Sequence, residues 1–229
     1  MFCPCIAGRA GPDHRPPNSG RQYPVAVPSA AFSSARLYAT SAFRIARRGR
    51  RLGSEERLVF VVGSPRSGTT FTGSALGGLP GFVDLDEVQP WKAAIPSLVA
   101  VSEEEIARRA RAILDRVRRL GLAGGLRGVE QTPETSHVLA GVLRAYPEAL
   151  AVHVIRDGRD VATSLLDRGW LSAARVGADD AGLRFGAHGR FWVEPERAAE
   201  FVRVSDATRC AWAWRSNSAA RSGSTQKRP

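Results

Sequence analysis

Gly63-Ser64-Pro65-Arg66-Ser67-Gly68-Thr69-Thr70 is the segment whose residue types and spacing could do chemistry. It follows the apolar run Leu58-Val59-Phe60-Val61-Val62 and leads into a helical pattern. A strand, a glycine-bounded turn and a helix start together make a cradle for an anion. The first backbone N–H groups of a helix have no intrahelical partner, and the helix dipole adds partial positive charge there. Arg66, inside the turn, adds a full charge on a planar, forked donor. A second constellation lies downstream. The apolar, β-branched run Ala151-Val152-His153-Val154-Ile155 passes into Arg156-Asp157-Gly158-Arg159-Asp160-Val161-Ala162-Thr163-Ser164. Arg156 stands at the carboxyl end of that strand, and Ser164, eight positions on, falls about two turns into the next helix. Ligands of open α/β sheets bind beyond the carboxyl ends of the strands, so both segments are expected to face one crevice.

The first segment has the GxxxxG spacing of a P-loop, but Thr69 stands where a nucleotide triphosphatase carries lysine. That lysine reaches the terminal phosphates of ATP or GTP. Without it the loop still holds phosphate but is poorly suited to triphosphate hydrolysis. Pro65-Arg66-Ser67-Gly68-Thr69-Thr70 resembles the loop of sulfotransferases that use 3′-phosphoadenosine 5′-phosphosulfate (PAPS), nearest to the bacterial and tyrosylprotein-type members. The strand–Arg156–helix–Ser164 pattern is similar to the segment with which that family grips the 3′-phosphate.

The resemblance implies a P-loop-type, three-layer α/β fold with a central parallel sheet flanked by helices. It implies that Arg66, Ser67, Gly68, Thr69 and Thr70 hold the 5′-phosphosulfate, and that Arg156 and Ser164 hold the 3′-phosphate. It implies transfer of a sulfuryl group from PAPS to a hydroxyl or amine of a carbohydrate, a small metabolite or a tyrosine side chain, with Arg66 taking part in catalysis and no metal required. Glu87, 21 residues past Arg66, matches the position of the catalytic base in the tyrosylprotein-type members. Asp84 and Asp86 adjoin it as substitutes, and His153, inside an apolar strand, is a weaker candidate. One departure stands out. In the segment matching Glu130-Gln131-Thr132-Pro133 the family often has a lysine that stabilises the bridging oxygen, and here Gln131 replaces it. An amide can donate to that oxygen but cannot neutralise it, which leaves Arg66 or Arg127 to supply the charge.

Two other readings compete. A P-loop kinase or NTPase fits the loop spacing but not Thr69. A non-catalytic nucleotide- or nucleic-acid-binding remnant fits the net charge of +11 and the chain's end, which comes before the further strand and helices found in family members. The charge is carried by arginine, since Lys92 and Lys227 are the only lysines. The arginines of the helix opened by Ser102 read as a solvated face and not as a nucleic-acid site, and a basic field also suits a doubly charged nucleotide cofactor or an acidic acceptor. Cys3, Cys5 and Cys210 form no metal or disulfide spacing and fit a cytoplasmic, reducing setting. No apolar run reaches the length of a membrane span. No feature sets an oligomeric state.

The elements that must position these groups follow from periodicity and punctuation. Residues 1–54, rich in Pro, Gly, Ser and Arg, read as a disordered basic extension with a short helix over Ala35–Arg48; a targeting role is one reading of it. The ordered domain spans 55–229, incomplete at its C-terminus relative to the family. Strand Leu58–Val62 and helix Gly68–Leu76 are followed by an irregular stretch over 81–101. Ser102-Glu103-Glu104-Glu105 is a capping box opening a helix that Gly121 ends. Its face is Ile106, Ala110, Ile113, Leu114, Val117 and Leu120, with Glu104–Arg108 and Asp115–Arg119 as ion pairs. A short strand or loop entry at Val129–Pro133, helix Thr135–Tyr146, strand Leu150–Ile155 and helix Gly158–Asp167 come next. Loops and short helices over 169–200, one helix over Ala198–Ala220 with Trp212 and Trp214 in the core, and a terminal loop complete the expectation.

Overall fold

The computed structural model describes residues 58–121 and 126–219, with Ala39 alone before them and the backbone only for 117–121. The rest of the N-terminal extension, its short helix included, and the loop over 221–229 lie outside the described residues. Four strands form one parallel sheet in the order β2-β3-β1-β4: β1 is Leu58–Gly63, β2 Phe82–Asp86, β3 Arg127–Glu130 and β4 Leu150–Val154. The helices are α1 Thr69–Gly77, α2 Gln89–Ala94, α3 Glu103–Gly121, α4 Leu139–Ala145, α5 Gly158–Arg168, α6 Ala198–Arg203 and α7 Asp206–Ala219. Short 3-10 turns cover Ile95–Ser97, Pro133–Val138 and Pro195–Arg197.

β1 is buried along its whole length, as a central parallel strand must be. Successive side chains leave a strand on opposite faces, and here they feed two separate cores. Leu58, Phe60 and Val62 pack with Ile106, Ala110 and Leu114 of α3 and with Leu139, Val142 and Ala145 of α4. Val59 and Val61 pack with Val129 of β3 and Leu76 of α1 on the other face. Two apolar faces on one sheet, each covered by helices, make the expected three layers. A third cluster of Val161, Leu165, Leu171, Cys210 and Ala213 joins α5 to α7.

The stretch over 81–101 corrects the expectation of irregular chain. β2 pairs with β3 at the sheet's edge, with Val83 and Leu85 buried and alternating with Asp84 and Asp86. A five-residue edge strand carrying two carboxylates has too little β signal to read alone. α2 forms because Pro90 sits at its start, where the missing N–H costs nothing, and because Trp91 is fully buried with its indole N–H on Thr135 Oγ1 at 2.9 Å.

In α3, Ser102 Oγ accepts the Glu105 N–H at 3.3 Å, so the cap is real. The Glu105 carboxylate takes Arg108 at 2.6 Å and Arg109 at 2.8 Å, which displaces the expected Glu104–Arg108 pair. Glu104 bridges instead to Arg144 of α4 at 3.0 Å. The segment expected as one helix over Ala198–Ala220 is two. Ser205 interrupts it by accepting the Thr208 N–H at 3.2 Å as the cap of α7. The buried Arg209 side chain then closes the joint through the carbonyls of Leu171, Val202 and Val204. Among the described residues no helix is long and apolar enough to cross a membrane.

Candidate functional site

The turn after β1 is shaped by contact rather than by propensity. A Cβ on Gly63 would stand 2.5 Å from the Val154 carbonyl oxygen, so only glycine lets β4 come this close to the strand that feeds the loop. Ser67 then folds back on Ser64, with both its N–H (3.0 Å) and its hydroxyl (2.7 Å) donating to the Ser64 carbonyl. That hydroxyl is therefore spent inside the loop, and Ser67 contributes shape instead of a donor to a ligand. Gly68, at φ 104°, turns the chain into α1. The first intrahelical bond is Thr72 N–H to the Gly68 carbonyl at 3.0 Å, and no side chain caps the helix. The amides from Gly68 to Phe71 are left as donors at the positive end of the dipole, with no acidic residue in the first turn. Thr69 is buried, and Thr70 is exposed beside it.

Arg66 is the one non-glycine residue of the loop in the left-handed region, at φ 73°. An L-residue there costs roughly 1–2 kcal/mol. Its Nε donates to Ser164 Oγ of α5 at 3.1 Å. Its guanidinium lies 5.8 Å from the Trp170 ring centroid. Arg156, just past β4, reaches back with Nη1 to the Arg66 carbonyl at 3.5 Å and with Nη2 to Asp160 at 3.4 Å. Arg168, one turn beyond Ser164 on α5, completes the group. Burial first, then the fields of Arg168 and Arg156, push the Arg66 guanidinium below the usual arginine range. The loop, Arg156 and Ser164 are thus brought together from segments some 90 residues apart in sequence. Arg66 holds the Ser164 hydroxyl, Arg156 lies against the Arg66 backbone with Asp160 as its carboxylate partner, and both Arg156 and Arg168 are close enough to act on the Arg66 charge. Such a cluster stores like-charge repulsion that an anion would release.

α7 holds Arg156 from behind. Trp214 lies across the start of α5, and its indole N–H donates to the Arg156 carbonyl at 3.2 Å. Trp212 and Trp214 are half-buried at the rim of the packing instead of in the core, with Trp212 edge-on to Phe201 and under Arg197. Arg168 was missed in the sequence, although its i,i+4 relation to Ser164 was visible.

The acidic side of the crevice is built past β2. Asp84 accepts Ser74 Oγ at 2.9 Å and the Asp86 N–H at 2.8 Å. Asp86 accepts the Glu87 N–H at 2.9 Å and Gln131 Nε2 at 2.9 Å. Both are committed to the turn, and Glu87 is the carboxylate they present. Glu87 is 25 % exposed, and its Oε2 lies 2.8 Å from Lys92 Nζ. Lys92 also reaches Asp179 at 3.1 Å. Nothing in the sequence linked Lys92 to Asp179, 87 positions away. Glu134 faces the same ammonium; burial raises its carboxyl, and Lys92 opposes the rise. Glu130, at the end of β3, is wholly buried, and burial lifts it to about 8 even though the Thr132 N–H and hydroxyl both donate to it.

Two expectations about the missing lysine need correction. Gln131 cannot serve the bridging oxygen as placed, because its Nε2 is used by Asp86 and its Oε1 packs against Gly73 of α1. Arg127 cannot compensate, because it opens β3 and lies at the strand end opposite to the loop, over the ring of Phe82. Arg66 remains the candidate cation. His153 sits half-buried inside β4, opposite Val62 in the register, as a sheet residue. Among the described residues no group of three or more His, Cys, Asp or Glu is arranged to hold a metal ion. No protein-family model matches the chain, and no curated protein sequence matches it.

Proposed function

We infer that the chain is a PAPS-dependent sulfotransferase. The observation that carries the reading is the joining of Arg66 to Ser164 and of Arg156 to the Arg66 backbone, beside the uncapped start of α1. A nucleotide carrying phosphate at both 3′ and 5′ positions needs two anion subsites within one crevice. The amides of Gly68–Phe71, with the turn formed by Ser67 and Thr69, serve the 5′-phosphosulfate. Arg156, Ser164 and Arg168 serve the 3′-phosphate, and Arg66 lies between the two. Thr69, buried where a triphosphatase would extend a lysine, speaks against ATP or GTP turnover.

In the reaction the acceptor hydroxyl (or amine) attacks sulfur in line. The new S–O bond forms as the bond from sulfur to the 5′-phosphate oxygen breaks. The acceptor's proton passes to Glu87, and 3′-phosphoadenosine 5′-phosphate (PAP) leaves with the electron pair. The acceptor is a carbohydrate, small metabolite or tyrosine hydroxyl. The chain's part is positioning and charge stabilisation. Loop amides and Arg66 take up the charge that grows on the leaving phosphate, in place of the absent lysine. The free thiol of Cys210 and the lack of any disulfide spacing agree with a cytoplasmic enzyme.

Calorimetric titration of PAP into the full chain, with ATP as comparison, tests this. PAP binding at least tenfold tighter than ATP supports the reading. A folded chain that binds neither, or that prefers ATP with magnesium, overturns it.

A further inference from the structure

Lys92 stands at the junction of three carboxylates delivered by three different segments. Glu87 comes from the turn after β2, Glu134 from the 3-10 turn after β3, and Asp179 from the loop joining α5 to α6. The lysine side chain is 12 % exposed, and Glu134, Glu87 and Asp179 together hold its ammonium well above the usual lysine range in spite of burial. Its place is fixed by the neighbouring Trp91, which is fully buried and tied to Thr135.

Asp179 divides its carboxylate between two tasks. Oδ1 accepts the N–H groups of Ala181 (3.0 Å) and Leu183 (2.8 Å), which folds the loop on itself. Oδ2 takes Lys92, which fastens that folded loop to α2. The base of the same loop is Trp170, beside Arg66, and Arg190 ties its far part to the carbonyls of Trp170 and Gly186. The loop therefore runs from the anion site to the carboxylate side. Glu87 Oε2 is occupied by the ammonium, while Oε1 takes no hydrogen bond among the described residues.

We propose that Lys92 is a positioning residue for the transfer reaction: it fixes Glu87 with Oε1 turned to the acceptor and, through Asp179, clamps the 169–193 loop beside it. The proposal rests on the sulfotransferase reading. A buried ammonium shared by two carboxylates at 2.8 and 3.1 Å costs too much desolvation to be explained as a surface pair. It restricts the Glu87 rotamer, and loss of a near-attack geometry can cost about 100-fold in rate.

The test uses the full chain and two readouts, PAP affinity by calorimetry and release of inorganic sulfate from PAPS with water as acceptor. Lys92→Met is expected to keep PAP affinity within about threefold and to lower sulfate release at least tenfold, with Lys92→Arg recovering part of the loss. Combined with Glu87→Gln, Lys92→Met is expected to add only the roughly threefold share of the loop clamp, well short of its full effect in the wild-type background, because the rest acts through Glu87. Unchanged release with PAP bound, or fully additive losses, overturns the proposal. So does a wild-type chain that binds PAP but releases no sulfate above the buffer rate. Should Lys92→Met also lose PAP binding, Asp179→Asn decides, since it cuts only the loop side of the clamp: release must fall at least threefold with PAP affinity kept, and unchanged release refutes the clamp. A wild-type chain with no PAP affinity fails the functional reading itself, a result distinct from all of these.

Discussion

Replacing Arg156 with alanine should separate binding from stability. In the free protein its two contacts lie at 3.4 and 3.5 Å, near the limit of a useful hydrogen bond, and the side chain is 46 % exposed. An ion pair of that kind contributes about 0–1 kcal/mol. Its removal also relieves part of the repulsion on Arg66. The melting temperature of a domain this size should therefore shift by no more than about 3 °C, in either direction. The bound state is different. A guanidinium facing a phosphate forms charge-assisted bonds that contribute roughly 1.5–3 kcal/mol, which is about 10- to 100-fold in Kd. Because Arg156 is assigned to the 3′-phosphate, the loss should fall on PAP and spare adenosine 5′-phosphate. The wild-type preference for PAP over adenosine 5′-phosphate should nearly vanish in Arg156→Ala. Calorimetry of both nucleotides at two salt concentrations, with thermal melts of the free protein, reads all of this. A variant that keeps its preference for PAP refutes the assignment. One whose affinity falls only in step with a large loss of melting temperature shows Arg156 to be structural.

Three further outcomes follow from packing and burial. Gly63→Ala places a methyl 2.5 Å from the Val154 carbonyl, so urea unfolding should show a loss of roughly 1–3 kcal/mol, with β4 displaced from the loop. Glu130 is raised to about 8 by burial, so its contribution to stability is fully present below about 4.5 and is lost as pH rises from there toward 8; Glu130→Gln, which keeps an acceptor for Thr132, should raise the urea midpoint at pH 8 far more than at pH 4.5. His137, buried with its ring nitrogen 3.1 Å from Asn217, is lowered to about 4, so it favours the fold above about 6.5 and loses roughly 3 kcal/mol as pH falls from 6.5 to 4; His137→Gln should flatten that limb of a pH-stability curve, and an unchanged limb would assign the acid sensitivity elsewhere.

The sequence by itself determined the frame of this protein. Leu58–Val62 could only be a strand buried on both faces, Gly63–Thr70 only a turn into a helix start, and Ser102 only a cap, because each rests on local rules of periodicity, glycine placement and side-chain capping. Strand, Arg156 and Ser164 were legible for the same reason, since a strand's end and a helix's second turn are fixed by spacing. Tertiary structure decided the rest. β2 exists because β3 supplies its partner, which no local signal in Phe82–Asp86 states. Arg66 bonds to Ser164 across 98 positions, Gln131 turns to Asp86 and away from the loop, and Lys92 joins Glu87 to Asp179. Those pairings depend on which strand ends lie side by side in the order β2-β3-β1-β4. Charges separated along a chain acquire partners only when the sheet brings their segments within a few ångströms and burial removes water as the alternative.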